Sequence, residues 1–238
     1  MSDSFKFWAV IPAAGRARRM GETASPKQYL TIAGRSVLEW SLSPILARDD
    51  CAGIVVAIAA DDTHWSRLPI ARDPRVRTTV GGTERAHSVL AGLRTLSLSD
   101  SEFVLVHDAA RPCLAADELS GLIEAVRNDP VGGLLAAPVV DTIKRADSEG
   151  RVAETVSRES LWRALTPQMF RFGTLYRALT AAQQQGVAVT DEAQAVERSG
   201  LRPRIVAGRT DNLKITLPED LIRAERILQE MQSSGGRR

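Results

Sequence analysis

An α/β fold built on a doubly wound, mostly parallel sheet is predicted by two features of the 238-residue chain. Several short apolar runs lack the alternation of a half-exposed strand, as expected of strands covered on both faces. Between them lie segments with helical spacing, so the order reads β-loop-α, repeated. A third observation marks an exception. Asp141 to Leu161 holds two short alternating stretches around Asp147-Ser148-Glu149-Gly150, which predicts a protruding β-hairpin arm.

Each element has its own signal. Phe7 to Ile11 is an apolar run and the first strand. Ser36 to Ala47 places Val37, Leu38, Leu42, Ile45 and Leu46 at helical spacing. Gly53 to Ala60 is β-branched and continuous, and Val76 to Val80 is a shorter strand. Arg85 to Leu96 reads as helix, Phe103 to His107 as a buried strand, Ala116 to Asn128 as helix and Gly133 to Val140 as strand. After the arm come helices at Phe172 to Gln185 and Asp191 to Ser199, a strand at Arg204 to Ala207, and a closing helix from Pro218 to Met231. Residues 1–232 are expected to form one domain, with 141–160 as the arm and 233–238 as a frayed tail.

Composition narrows the class. The chain is 44% hydrophobic and 25% charged with a net charge of +2, an ordinary soluble balance that calls for no nucleic acid or other polyanionic partner. Cys51 and Cys113 are too few for a disulfide scaffold and fit no metal spacing, so both are expected as buried thiols. The N-terminus has no signal-peptide core and no run reaches the length of a membrane span, so a cytoplasmic location is expected.

The chemistry concentrates in loops expected at the carboxyl ends of strands, where such sheets bind ligands. After the first strand, Ala13-Ala14-Gly15 leaves the backbone open, and exposed amides in such a loop form a concave anion site. Arg19 and Lys27 add full charges beside it. The spacing matches neither G-x-x-x-x-G-K-[ST] nor G-x-G-x-x-G. Gly81-Gly82 suits either a plain turn or close approach to the same ligand, and Ser88 either a helix-surface hydroxyl or a contact. Asp108, just past a buried strand, suits pairing with Arg111, a divalent metal or a sugar hydroxyl. His64, His87 and His107 show no ligand spacing, and no G-x-S-x-G elbow is present. A site rich in Arg and Lys with loop amides and one placed Asp suits phosphoryl-type transfer, which needs positioning and charge neutralisation more than a protein nucleophile.

Eight motifs in order, AAGRARRM, SPKQYL, GGTERAHSV, VHDAARP, DTIKR, LTPQ, VTDEA and DNLKIT, give a resemblance to the 2-C-methyl-D-erythritol 4-phosphate cytidylyltransferase family over about residues 7 to 228. The resemblance implies a nucleotidyltransferase, Rossmann-like fold and a homodimer in which the arm reaches across to the neighbour. It implies that Ala13, Ala14, Gly15, Gly82 and Ser88 contact CTP, and that Arg19 and Lys27 are the catalytic cations. Asp108, Arg111, Thr190 and Lys214 would hold methylerythritol phosphate, with Thr142 and Arg158 completing that pocket from the other subunit. Mg²⁺ would sit mainly on triphosphate oxygens, with Asp108 as its candidate protein ligand. The family loop usually reads A-A-G-x-G-x-R-M. Here Ala17 takes the place of the second glycine, at a strain of about 1 kcal/mol if φ is positive there. Rival readings are a cytidylyltransferase for ribitol 5-phosphate, a sugar-1-phosphate nucleotidylyltransferase, and a non-catalytic nucleotide-binding protein on the same scaffold.

Overall fold

The computed structural model describes residues 5–15 and 25–235. The chain begins with β1 (Phe7–Pro12), and a short ribbon follows, β2 (Thr31–Ile32) and β3 (Arg35–Ser36). Next come α1 (Val37–Leu46), β4 (Cys51–Ile58), β5 (Val76–Val80), α2 (Arg85–Arg94), β6 (Phe103–Val106), α3 (Ala116–Val126) and β7 (Gly132–Pro138). The arm is β8 (Ile143–Ala146) with β9 (Val152–Val156), and a long strand, β10 (Trp162–Arg171), leads out of it. The chain closes with α4 (Phe172–Gln184), α5 (Glu192–Arg198), β11 (Arg204–Ala207) and α6 (Pro218–Gly235).

Seven strands form one sheet in the order β11-β7-β10-β6-β1-β4-β5. All its pairings are parallel except those of β10, which runs antiparallel to both β6 and β7. Alternate residues of each strand feed two cores. Ala9, Ile11, Ile54, Val56, Phe103 and Leu105 face α1 and α3. Val10, Val55, Val104, Val106 and Phe170 face α2, α4 and α5. Both faces are therefore covered, which is why these strands read as continuous apolar runs. A third cluster joins Ile32 and Val37 to Ala224 and Leu228 of α6.

The expected elements are present with small shifts: β4 begins at Cys51, and α2 and α3 end two residues early. The closing helix runs through Ser233 to Gly235, into the stretch expected to fray, because nothing in Ser233-Ser234 stops a helix whose preceding turns are already formed. The β2–β3 ribbon and β10 were not anticipated. No helix among the described residues is long and apolar enough to cross a membrane.

Candidate active site

The loop after β1 is fixed through one residue, Ala13. The Ala13 N–H donates to the Ala57 carbonyl at 2.8 Å, continuing the sheet, and Nε2 of buried Gln28 donates to the Ala13 carbonyl at 2.7 Å. Gln28 belongs to a single 3₁₀ turn, Lys27–Tyr29, where the loop returns. Tyr29 anchors that turn, donating its hydroxyl to Asp62 at 2.7 Å and stacking on His64. Lys27 is thereby aimed across the fold, and its Nζ donates to the Ile215 carbonyl at 2.7 Å. Arg19 and Ala17 lie outside the described residues.

The second loop, between β5 and α2, folds around Ser88. Ser88 is buried rather than on the helix surface, and its Oγ accepts the Gly82 N–H at 3.1 Å while facing the Glu84 carbonyl at 3.1 Å. A Cβ on Gly81 would stand 2.5 Å from the Ala14 Cβ and 2.8 Å from the Ser88 Oγ. Gly81 thus serves close approach between the first and second loops, while a Cβ on Gly82 would collide with the His87 Cβ on α2, so both do more than make a turn.

The third loop carries a charge cluster. Asp108 Oδ1 accepts from Arg85 Nε at 2.7 Å, and its Oδ2 accepts from Lys214 Nζ at 2.7 Å with Arg111 Nε at 3.7 Å. Arg85 also grips the buried Glu192 through both oxygens, at 2.6 and 3.0 Å. Burial alone would raise the Asp108 carboxyl, but the charges of Arg85, Lys214 and Arg111 outweigh it and hold the group far below the usual carboxylate range. Burial pushes Glu192 upward, with Arg85 opposing it, and burial lowers Arg111.

Beneath this cluster His107 is fully buried, and burial depresses its pKa to about 4. The ring is therefore neutral. Its Nε2 faces the Arg111 carbonyl at 3.1 Å, which can only accept, so Nε2 carries the proton. Its Nδ1 then accepts from the Thr166 hydroxyl at 3.0 Å, and that oxygen accepts the Asp108 N–H at 3.0 Å. Asn212 completes the support, donating to the Thr166 carbonyl at 3.0 Å and accepting Arg111 Nη1 on its own carbonyl at 2.6 Å.

Two adjoining cavities result. One is bordered by Ala13, Ala14, Gly15, Lys27, Gly82 and Ser88, and the other by Arg111, Thr166, Gln168, Thr190 and Asp191. Asp108, Lys214 and Arg85 border both. Thr142 and Arg158 border neither: they are exposed at the base of the arm, where Arg158 Nη1 donates to the Val140 carbonyl. Asp108 fits poorly as a metal ligand, because both its oxygens already receive cationic donors and a further cation would meet their charge. No cluster of three or more His, Cys, Asp or Glu able to hold a metal occurs among the described residues.

Sequence reasoning gave no role to Gln28, Arg85, Thr166, Gln168 or Glu192. All five lie inside the quoted motifs, but nothing in a single sequence pairs Arg85 with a residue 107 positions away.

A family model described as "IspD: 2-C-methyl-D-erythritol 4-phosphate cytidylyltransferase" matches residues 7–230. The chain belongs to this family. The cytidylyltransferase of that name from Ectopseudomonas mendocina (strain ymp) is 54% identical over 221 residues, covering 92% of this chain and 94% of the relative. A crystal structure of a 4-diphosphocytidyl-2C-methyl-D-erythritol synthase is 39% identical with a TM-score of 0.81, covering 94% of this chain and 99% of that one. The Francisella tularensis 2-C-methyl-D-erythritol 4-phosphate cytidylyltransferase structure is 30% identical with a TM-score of 0.82, covering 93% and 99%. As a cytidylyltransferase of this family the chain is a nucleotidyltransferase enzyme, and ribitol 5-phosphate as acceptor is not favoured.

Proposed function

We propose that the first cavity takes CTP, the second takes 2-C-methyl-D-erythritol 4-phosphate, and the two phosphates meet at their shared wall. The family's reaction transfers CMP from CTP to that acceptor, giving 4-diphosphocytidyl-2-C-methyl-D-erythritol and pyrophosphate. An oxygen of the acceptor phosphate attacks the α-phosphorus in line. The new P–O bond forms as the bond to the β-phosphate oxygen breaks. A phosphate monoester loses its second proton near pH 6, so the attacking oxygen is already anionic at neutral pH and no general base is required. The protein supplies position and charge.

In this reading the backbone of Ala13, Ala14, Gly15 and Gly82, with Ser88, holds the nucleotide, and Arg19 and Lys27 neutralise the triphosphate. Asp108, Arg111, Thr190 and Lys214 hold the acceptor, joined by Thr142 of the partner subunit and Arg158 of the partner subunit. Magnesium would be held mainly by CTP rather than by the protein and would supply further charge neutralisation. The enzyme works as a cytoplasmic homodimer of one-domain subunits (residues 1–232), joined through the arm at 141–160, with neither nucleic acid nor membrane as partner.

The observation that carries this reading is the common wall, Asp108, Lys214 and Arg85, between a cavity bordered by the small-residue loop and one bordered by polar side chains. Pyrophosphate release should be fast with CTP and methylerythritol phosphate, and at background with UTP or with ribitol 5-phosphate. Equal rates with both acceptors would overturn the acceptor assignment.

A further inference from the structure

Arg85 and Glu192 open α2 and α5 and have no part in the reaction as described so far. Their geometry is that of a built device. One guanidinium serves two carboxylates in two directions, Nη1 and Nη2 to Glu192 and Nε to Asp108. Glu192 is wholly inaccessible to solvent. A buried ion pair is a poor way to gain stability, since removing two charges from water offsets most of their attraction. Apolar side chains would fill the same space at less cost. The location supplies the missing reason: Arg85, with Asp108 and Lys214, borders both cavities.

We infer that Arg85 and Glu192 are positioning residues that fix Asp108 and tie the acceptor loop to the nucleotide loop. Glu192 locks the plane of the guanidinium. The guanidinium then holds Asp108 Oδ1, leaving Oδ2 turned toward Lys214 and the acceptor cavity. Glu192 also lies two residues after Thr190, so the same clasp sets where Thr190 stands. Asp191 caps α5 by accepting the Gln194 N–H at 2.9 Å, and Gln168 accepts the Ala193 N–H at 2.8 Å, so the start of that helix is held on several sides.

The effect of loosening the clasp should be lopsided. The nucleotide loops keep independent supports, Gln28 on Ala13 and Ser88 on Gly82. Asp108 loses the partner of its Oδ1, and the start of α5 beside Thr190 loses the anchor of Glu192. The inference rests on assigning the second cavity to the acceptor.

The experiment is steady-state kinetics on full-length Arg85→Lys and Glu192→Gln, varying each substrate, beside Thr190→Val and Arg111→Lys. A lysine cannot reach three oxygens in a planar fork. Both Arg85→Lys and Glu192→Gln should raise KM for the acceptor roughly tenfold, as expected for a lost buried charged hydrogen bond, with KM for CTP within about twofold. Lower kcat with both KM values unchanged would mean a structural role only and would overturn the inference. Glu192→Gln preserves bulk and one acceptor oxygen, and it decides the matter alone if Arg85→Lys does not fold. If Thr190→Val and Arg111→Lys leave the acceptor KM unchanged, the cavity assignment fails. If they raise it while Arg85→Lys and Glu192→Gln do not, the clasp fails.

Discussion

Asp108 shows how placement outweighs charge count at the scale of single residues. The chain as a whole is nearly neutral, yet three cations and two carboxylates are packed around this one position. An excess of positive charge therefore faces the place where phosphates are to meet. Lys27, whose Nζ donates to the carbonyl of Ile215 next to Lys214, borders the first cavity with Asp108, Arg85 and Lys214. Losing a comparable charge-stabilising donor elsewhere costs two to three orders of magnitude, so Lys27→Ala should lower kcat by about 10²–10³ in a pyrophosphate-release assay, and near-normal turnover would contradict its role. His107 has a separate signature. Its folded pKa of about 4 lies below the ordinary value near 6.5, so between these limits the unfolded chain binds the extra proton. The stability this histidine contributes is complete above pH 6.5 and is lost as pH falls toward 4, by up to about 3 kcal/mol. Thermal midpoints from pH 7 to 4.5 should fall less steeply in His107→Gln than in the parent protein. An unchanged slope would show that the ring is not held neutral.

At the scale of elements, legibility followed burial. Strands covered on both faces by helices announce themselves as apolar runs, which is why β1, β4, β6 and β7 were readable; the edge strand β5, VRTTV, was readable from its β-branched residues instead. β10 was not, although it lies in the middle of the sheet. Its sequence, WRALTPQMFR, places Pro167 at its centre and Thr166 and Gln168 beside it, features that argue against a central strand. The structure accommodates them because β10 is irregular there: its register with β7 breaks between Ala164 and Gln168, and Ala164, Leu165, Thr166 and Gln168 border the second cavity. The β2–β3 ribbon was missed because Ala33-Gly34, both at positive φ, lacks the usual Asn-Gly or Asp-Gly signal. By contrast the start of α1 was written in the sequence as Ser36-x-x-Glu39, and the structure forms the reciprocal cap, Glu39 N–H to Ser36 Oγ at 3.2 Å and Ser36 N–H to Glu39 at 3.0 Å. Ser36→Ala should cost about 1 kcal/mol and lower the thermal midpoint by a few degrees, measurable by calorimetry. Gly92 tests packing against propensity. Alanine favours a helix by up to about 1 kcal/mol over glycine, but a Cβ there would stand 2.5 Å from Val10 Cγ1 on β1. Gly92→Ala should therefore destabilise, and a raised midpoint would show that α2 can lift off the sheet without cost.

For the whole molecule, the small-residue loop after β1 and Lys27 could be placed beside one cavity from sequence because small residues and basic charges adjoin there. The assembly of the site was not, since it depends on pairs far apart along the chain. Thr142 and Arg158 border neither cavity of their own chain, and the proposal that they serve a partner's pocket has a direct test. Co-expressing a Lys27→Ala subunit with an Arg158→Ala subunit should restore part of the activity, because a mixed dimer recovers one intact site. No recovery in isolated mixed dimers would count against sharing. One contact has a further consequence for how the enzyme comes into being. Lys27 near the start of the chain closes onto the carbonyl of Ile215 near its end. A ribosome making this protein must release almost the whole polypeptide before the cavity beside Ala13 and Gly82 can close, so no ligand of that cavity can act as a template for the nascent chain.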